Sequence, residues 1–139
     1  MDDAIETTLQ NDSIADTFYT IKSINGFVIF TCKAYDTKSA IVKAATDKIN
    51  LTGADLTGVD LAGANLSGFI LTSADFTGSD LTGASLVDAD LAGANFAGAD
   101  LFCANFAGAD LTGANLIGAN LFFANLVGAN LKDVRINAD

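Results

Sequence analysis

From Leu51 onward a large apolar residue returns at every fifth position without a break. Leu56, Leu61, Leu66, Leu71, Phe76, Leu81, Leu86, Leu91, Phe96, Leu101, Phe106, Leu111, Leu116, Leu121, Leu126 and Leu131 follow, and Ile136 closes the series. A small residue stands two places before nearly all of them, as at Ala54, Ala64, Ala74 and Ala84, and Asp or Asn usually fills the place between. The unit reads Ala-(Asp/Asn)-Leu-x-Gly. A period of five fits neither the 3.6 of an α-helix nor the 2 of a flat strand. Glycines at Gly53, Gly58, Gly63 and Gly68 would cost a helix about 1 kcal/mol each. Collagen needs a period of three and proline, which this chain lacks, and the calcium-binding nonapeptide solenoid needs nine.

The physical solution is a coil that turns a corner every five residues, with the large and small apolar positions inward and each coil stacked on the next. No pentad can bury its own Leu, so stability comes from neighbouring coils, at roughly 1.5 to 3 kcal/mol gross per buried Leu or Phe before entropy is subtracted. The seventeen residues from Leu51 to Leu131 in that series, Leu56 to Leu131 foremost, are the expected core stack.

Stretches such as Ala94-Asn95-Phe96-Ala97-Gly98-Ala99-Asp100-Leu101 resemble the pentapeptide repeat family, and the resemblance covers about two thirds of the chain. It implies an all-β fold: a right-handed four-sided β-helix with four pentads per coil, hence about 4.5 coils over residues 50–139. At about 4.8 Å between stacked strands the rod would be roughly 22 Å long.

The first 50 residues follow another pattern. Residues 18 to 34 place Asn25-Gly26 between two β-branched and aromatic runs, which predicts a β-hairpin. Asp36 or Thr37 then suits the N-cap of a short helix with Ile41, Ala45 and Ile49 on one face, Val42 beside them, and Lys38, Lys43 and Lys48 in solvent. Residues 17–49 are expected to cap the first coil and hide its open β-edge. Residues 1–16 form a polar acidic arm, either flexible or a short helix. At Gly68-Phe69-Ile70-Leu71 the small and polar positions hold Phe69 and Ile70, which predicts a bulge or tilt.

Composition sharpens this picture. Half the residues are hydrophobic and the mean hydropathy is +0.38, enough for a folded domain. Seventeen acidic against seven basic side chains give a net charge of -10, which argues against nucleic acid or an anionic membrane as direct partner and for a basic protein surface. Cys32 and Cys103 are isolated, neither a disulfide framework nor a zinc spacing, and read as buried or half-buried thiols in a reducing cytoplasm. The acidic N-terminus lacks the character of a secretory signal, and no apolar run reaches the ~20 residues of a membrane span. A cytoplasmic setting, in a bacterium or encoded by a phage, is expected.

With four pentads per coil, residues 20 apart stack in columns. Asp60, Asp80 and Asp100 form one acidic ladder, Asp55 and Asp75 a second, Asp90 and Asp110 a third, with Asn115, Asn120, Asn125 and Asn130 taking over later. Ten acidic residues against Lys132 and Arg135 between 51 and 139 leave -8. Over the rod's length that is about one charge per 2.7 Å, against one per ~1.7 Å in B-DNA. Family members that act as DNA mimics occupy the DNA-binding saddle of a type II topoisomerase such as gyrase, and the resemblance implies that role here. The alternative for the carboxylates is a purely structural one in turns, and the alternative for the protein is a rigid spacer or assembly module.

A second zone is apolar. Phe102, Cys103, Ile117, Phe122, Phe123 and Val127 take outward positions that elsewhere hold Thr, Ser, Ala and Gly, so homodimerisation through the C-terminal half is expected. The chain ends three residues after Ile136 with no capping helix, which leaves an open edge for that contact. No His, metal-ligand cluster, phosphate-binding loop or activated nucleophile is present, so neither catalysis nor a cofactor is expected.

Overall fold

The computed structural model describes residues 17–137; the acidic arm predicted for residues 1–16 lies outside the described residues. Strands β1 (Phe18–Lys22) and β2 (Val28–Lys33) pair antiparallel, from Phe18 opposite Lys33 to Lys22 opposite Val28. Alternation puts Ile21 and Cys32 inside and Phe18, Thr20, Lys22, Thr31 and Lys33 outside. The connecting loop is residues 24–26. The Ser23 N–H donates to the Phe27 carbonyl and the Gly26 N–H to the Ser23 carbonyl, both at 2.8 Å. Gly26, at φ +86°, supplies the left-handed residue that a three-residue hairpin loop needs.

Helix α1 (Thr37–Thr46) starts at the predicted cap, where the Ser39 N–H donates to Asp36 Oδ1 at 2.7 Å. It ends sooner than the apolar pattern implies. Lys48 adopts φ +59°, its N–H donates to Ala45 O, and the Ile49 N–H reaches Ala44 O, both at 2.9 Å. This is the paired-bond helix ending usually built on glycine. Ile49 therefore lies beyond the helix and folds back half-buried, while Ala40, Ile41, Ala44 and Ala45 carry the buried face. Lys38 also departs from expectation: its Nζ is drawn out of solvent by the Ala62 carbonyl, at 2.8 Å.

The rod repeats one local structure. The large residue's carbonyl accepts from the N–H three residues on, as in Ala54 to Leu51 at 3.0 Å and Ala94 to Leu91 at 2.9 Å. The residue before that donor has positive φ in each pentad from Gly53 to Asp133, the mark of a type II turn. Glycine fills most of these positions; Ser73, Asp88, Cys103, Phe123 and Asp133 take the same conformation in the others. Parallel bridges then join residues 20 apart, from Asp55–Asp75 to Asn115–Arg135, giving four columns.

This geometry sends the large and small residues inward. Leu51 to Leu111 and the alanines beside them are essentially inaccessible. Phe76 and Phe96 stack at 4.8 Å with rings 4° from parallel, and Phe96 meets Phe106 edge-on at 5.8 Å. The N-terminal unit abuts the first coil: Ile24 N–H donates to Gly53 O at 2.8 Å and Asp55 N–H to Lys22 O at 2.7 Å, while Ile41 and Ala44 join the rod's core.

No bulge forms at Phe69. The ladder runs through it, with Leu51 N–H on Ile70 O at 3.0 Å and Asp90 N–H on Phe69 O at 2.9 Å. The adjustment is in the turn. Turns closed by Ala or Ser measure 2.9 to 3.1 Å, whereas those closed by Val59 and Phe69 measure 3.3 Å and that by Val134 3.2 Å. A side chain larger than Ala opens its own turn slightly and leaves the coil in register.

At the far end the core stack is not fully enclosed. Leu121 and Leu126 are half-buried and Leu131 is 43% exposed, because no described element lies over their outer side. Ser79, in the small inward position, is 1% exposed and its hydroxyl has no partner among the described residues. Leu91→Ala should therefore cost about 2 to 5 kcal/mol in urea unfolding, and Leu131→Ala under about 1 kcal/mol because that site is already open. Ser79→Ala should stabilise by about 1 kcal/mol, since it removes an unsatisfied buried hydroxyl.

Candidate functional site

Since the large and small positions are committed to the core, whatever this rod recognises must be read from the Asp/Asn columns and the residues of the turns. Each Asp or Asn named in the columns does local work. One side-chain oxygen accepts from the backbone N–H two residues on: Asp55 from Thr57 (3.1 Å), Asp60 from Ala62 (3.0 Å), Asp75 from Thr77 (2.9 Å), Asp80 from Thr82 (2.9 Å), Asp90 from Ala92 (3.3 Å), Asp100 from Phe102 (3.1 Å) and Asp110 from Thr112 (3.0 Å). Asparagine makes the same bond at Asn95, Asn105, Asn115, Asn120, Asn125 and Asn130, at 3.0 to 3.1 Å. The turn needs an oxygen and is indifferent to the charge.

Between coils the two residues differ. Asn115 Nδ2 donates to Asn95 Oδ1, and Asn120 Nδ2 to Asp100 Oδ1, both at 3.2 Å. Asp80 between Asp60 and Asp100 has no donor to offer, so three like charges stack at about 4.8 Å spacing. Hydrogen bonds from the Thr82 hydroxyl and N–H hold the Asp80 carboxyl below its ordinary value, with a smaller contribution from Lys38, and Thr112 does the same for Asp110.

The columns are unequal. Those through Asp55, Asp60 and Asp90 carry acid, while Asn65, Ser85, Asn105 and Asn125 form an uncharged fourth. Lys38 stands beside the head of the Asp60 column, held at Ala62 and acting on Asp80. Sequence reasoning missed it, since only the fold shows that α1 delivers this cation there; the lysines from Lys22 to Lys48, with only Asp36 and Asp47 among them, were the available signal.

The apolar candidates separate into a cluster and two outliers. Phe102 and Phe122 stack in one column at 6.3 Å, and Phe123 lies 5.8 Å from Phe102 and 4.4 Å from Phe122. Phe122, Phe123 and Val127 are 63%, 72% and 76% exposed, whereas Phe102 and Ile117 are half-buried. Ile117 and Val127 occupy other columns and make no ring contact with the cluster. Cys103 is exposed, as its outward place in the apolar zone implies and against the reading of its thiol as buried or half-buried; Cys32 is buried as expected. Among the described residues no three His, Cys, Asp or Glu converge to hold a metal ion, and no helix is long and apolar enough to cross a membrane.

A family model for pentapeptide repeats matches residues 44–72, 70–102 and 99–137, in 8 copies. The chain belongs to the pentapeptide repeat family. Pentapeptide repeat proteins fold as right-handed quadrilateral β-helices, and they are generally structural or binding proteins. Among solved structures, the chain is similar to the pentapeptide repeat protein Rfr23 from the cyanobacterium Cyanothece 51142, at 37% identity and a TM-score of 0.62, over 64% of this chain and 61% of that one. HetL from Nostoc sp. strain PCC 7120, a pentapeptide repeat protein involved in heterocyst differentiation regulation, is 40% identical with a TM-score of 0.47, over 58% of this chain and 39% of its own. A pentapeptide repeat protein of the Arabidopsis thaliana thylakoid lumen is 38% identical with a TM-score of 0.43, over 61% and 63%. This chain thus spans about three fifths of Rfr23 and about two fifths of HetL. No curated protein matches it.

The depressed carboxyls make stability acid-sensitive in a defined direction. A group whose folded value lies below its ordinary 3.8 contributes stability that is fully present above that value and is lost as pH falls through the folded one. Thermal unfolding followed downward from pH 6 should therefore show the melting temperature falling chiefly below about pH 4. The Asp80→Asn, Asp110→Asn double variant should flatten that limb and keep its turns; an unaltered limb would remove these two groups from the account.

Proposed function

We propose that this pentapeptide repeat protein is a non-enzymatic binding rod whose acidic columns engage a basic protein groove, in the manner of a DNA mimic. The observation that carries this reading is the Asp60–Asp80–Asp100 column. Asparagine would make the same turns and would add inter-coil hydrogen bonds, yet the first three coils carry stacked carboxylates that repel one another. Such repulsion is relieved by cations from outside. An inert spacer would be served as well by Asn throughout. The partner that the resemblance puts forward is a bacterial type II topoisomerase, whose saddle is a basic groove shaped for a rod of negative charge.

Homodimerisation through the C-terminal half belongs to the same reading. The cluster of Phe102, Phe122 and Phe123 beside half-enclosed Leu121 and Leu126 is an exposed apolar patch of the kind that marks an interface. Residues 17–49 are the cap of the opposite end.

Two measurements test these assignments. Purified protein at micromolar concentration should alter gyrase supercoiling or its quinolone sensitivity, and Asp60→Asn, Asp80→Asn, Asp100→Asn should weaken the effect at least tenfold, about 1.4 kcal/mol. No effect of the wild type on either readout rejects the topoisomerase. Light scattering should show a dimer that shifts to monomer in the Phe102→Ser, Phe122→Ser variant; an unchanged mass rejects the patch as its interface.

A further inference from the structure

The longest acidic column and the phenylalanine cluster meet at one corner of the rod. Of the column aspartates, only Asp100 is followed two residues on by an aromatic side chain; Ala62 follows Asp60, Thr82 follows Asp80, and Ala or Thr follows the rest. Phe102 and Phe122 take the places just past Asp100 and Asn120, one layer apart, and the backbone ties each of them to that column. The Phe102 N–H donates to Asp100 Oδ1 and the Phe122 N–H to Asn120 Oδ1, both at 3.1 Å. Phe123 packs across the pair.

Acid and rings both face solvent. Asp100 is exposed. Its Oδ1 also accepts from Asn120 Nδ2 at 3.2 Å, which fixes the carboxylate, while its Oδ2 makes no hydrogen bond or ion pair among the described residues. Phe122 and Phe123 leave 63% and 72% of their surface open. The rod's own cations, Lys132 and Arg135, stand over none of these rings. A fixed carboxylate with one oxygen to spare therefore lies beside uncovered aromatic surface.

We infer that this corner is an arginine site, where a guanidinium of a protein partner rests on Phe122 and Phe123 and donates to Asp100 Oδ2. The carboxylate selects a cation, and the rings select among cations. An ammonium is compact and strongly hydrated, whereas a guanidinium is planar, weakly hydrated, and can meet a carboxylate with its edge while its face lies on an aromatic ring. Higher in the column, Asp60 and Asp80 stand beside Ala62 and Thr82 and attract a basic residue without that second contact. The inference rests on the proposed reading of the acidic columns as the partner-binding face, and adds which basic side chain the partner brings to the far end of the longest one. A second copy of the chain and an arginine compete for the same rings.

Fluorescence anisotropy with labelled oligoarginine and oligolysine of equal length tests the preference, on the full chain at about 50 mM salt and at protein concentrations where light scattering shows monomer. The full chain should bind oligoarginine at least about threefold tighter than oligolysine. Phe122→Leu, Phe123→Leu keeps the apolar bulk without the rings and should lose most of that preference. Asp60→Asn lies away from the rings and should weaken both peptides alike. Circular dichroism checks that each variant is folded. Equal affinities in the unsubstituted chain, or an arginine preference undiminished in the leucine variant, overturn the inference and leave the acidic columns as the binding face. Binding of neither peptide overturns it together with the reading on which it rests.

Discussion

The rod depends on a closure of about ten backbone atoms, the hydrogen bond from the small inward residue back to the carbonyl of the large one. In every pentad from Gly53 to Asp133 the residue before the donor takes positive φ, and that conformation sets where the side chains of the pentad point. Two successive strand residues straddle the corner, one sending Leu or Phe inward and the other sending Asp or Asn out. Stacking follows, because identical corners place identical residues over one another 20 apart. The near-parallel contact of Phe76 with Phe96 at 4.8 Å shows how tightly the core obeys a spacing set by the backbone.

The same constraint governs what the surface can express. Where an Asx side chain stands at a corner the turn uses its oxygen alone, so the choice between Asp and Asn is free of the turn and can be made for charge. Acid is placed in three columns and omitted from the fourth, with the carboxylates concentrated toward the capped end and the phenylalanines toward the other. Lys38 tempers the longest acidic column at its head, held by the Ala62 carbonyl. Structural and recognition roles thus reside in one residue, divided between its two oxygens.

Much of this could be read from the sequence, because a period of five with Gly after Leu has one compact solution. The core from Leu51 to Leu111, the hairpin at Asn25-Gly26 and the Asp36 cap follow from local pattern, and the columns of 20 from the resemblance to pentapeptide repeats. What escaped were features decided by tertiary placement. Nothing local says that Lys48 would adopt φ +59° and end α1 at Thr46, or that Lys38 would turn toward a carbonyl 24 residues on. Phe69 reads as a disruption until the turn at 3.3 Å shows how little the backbone must yield. Leu131 carries the core pattern and is exposed because a pattern cannot say what lies over its last member.

The register of 20 also decides how such a chain can change length. Removing four consecutive pentads from the middle of the rod shortens it by one layer and returns each later residue to the column it already occupied. Removing a single pentad preserves every turn and every inward Leu, yet rotates all later residues by a quarter turn about the axis. The uncharged column would then continue an acidic one, and the Phe102–Phe122 pair would face a different side. Growth by whole layers conserves the surface, and growth by single units reshuffles it while the core barely notices.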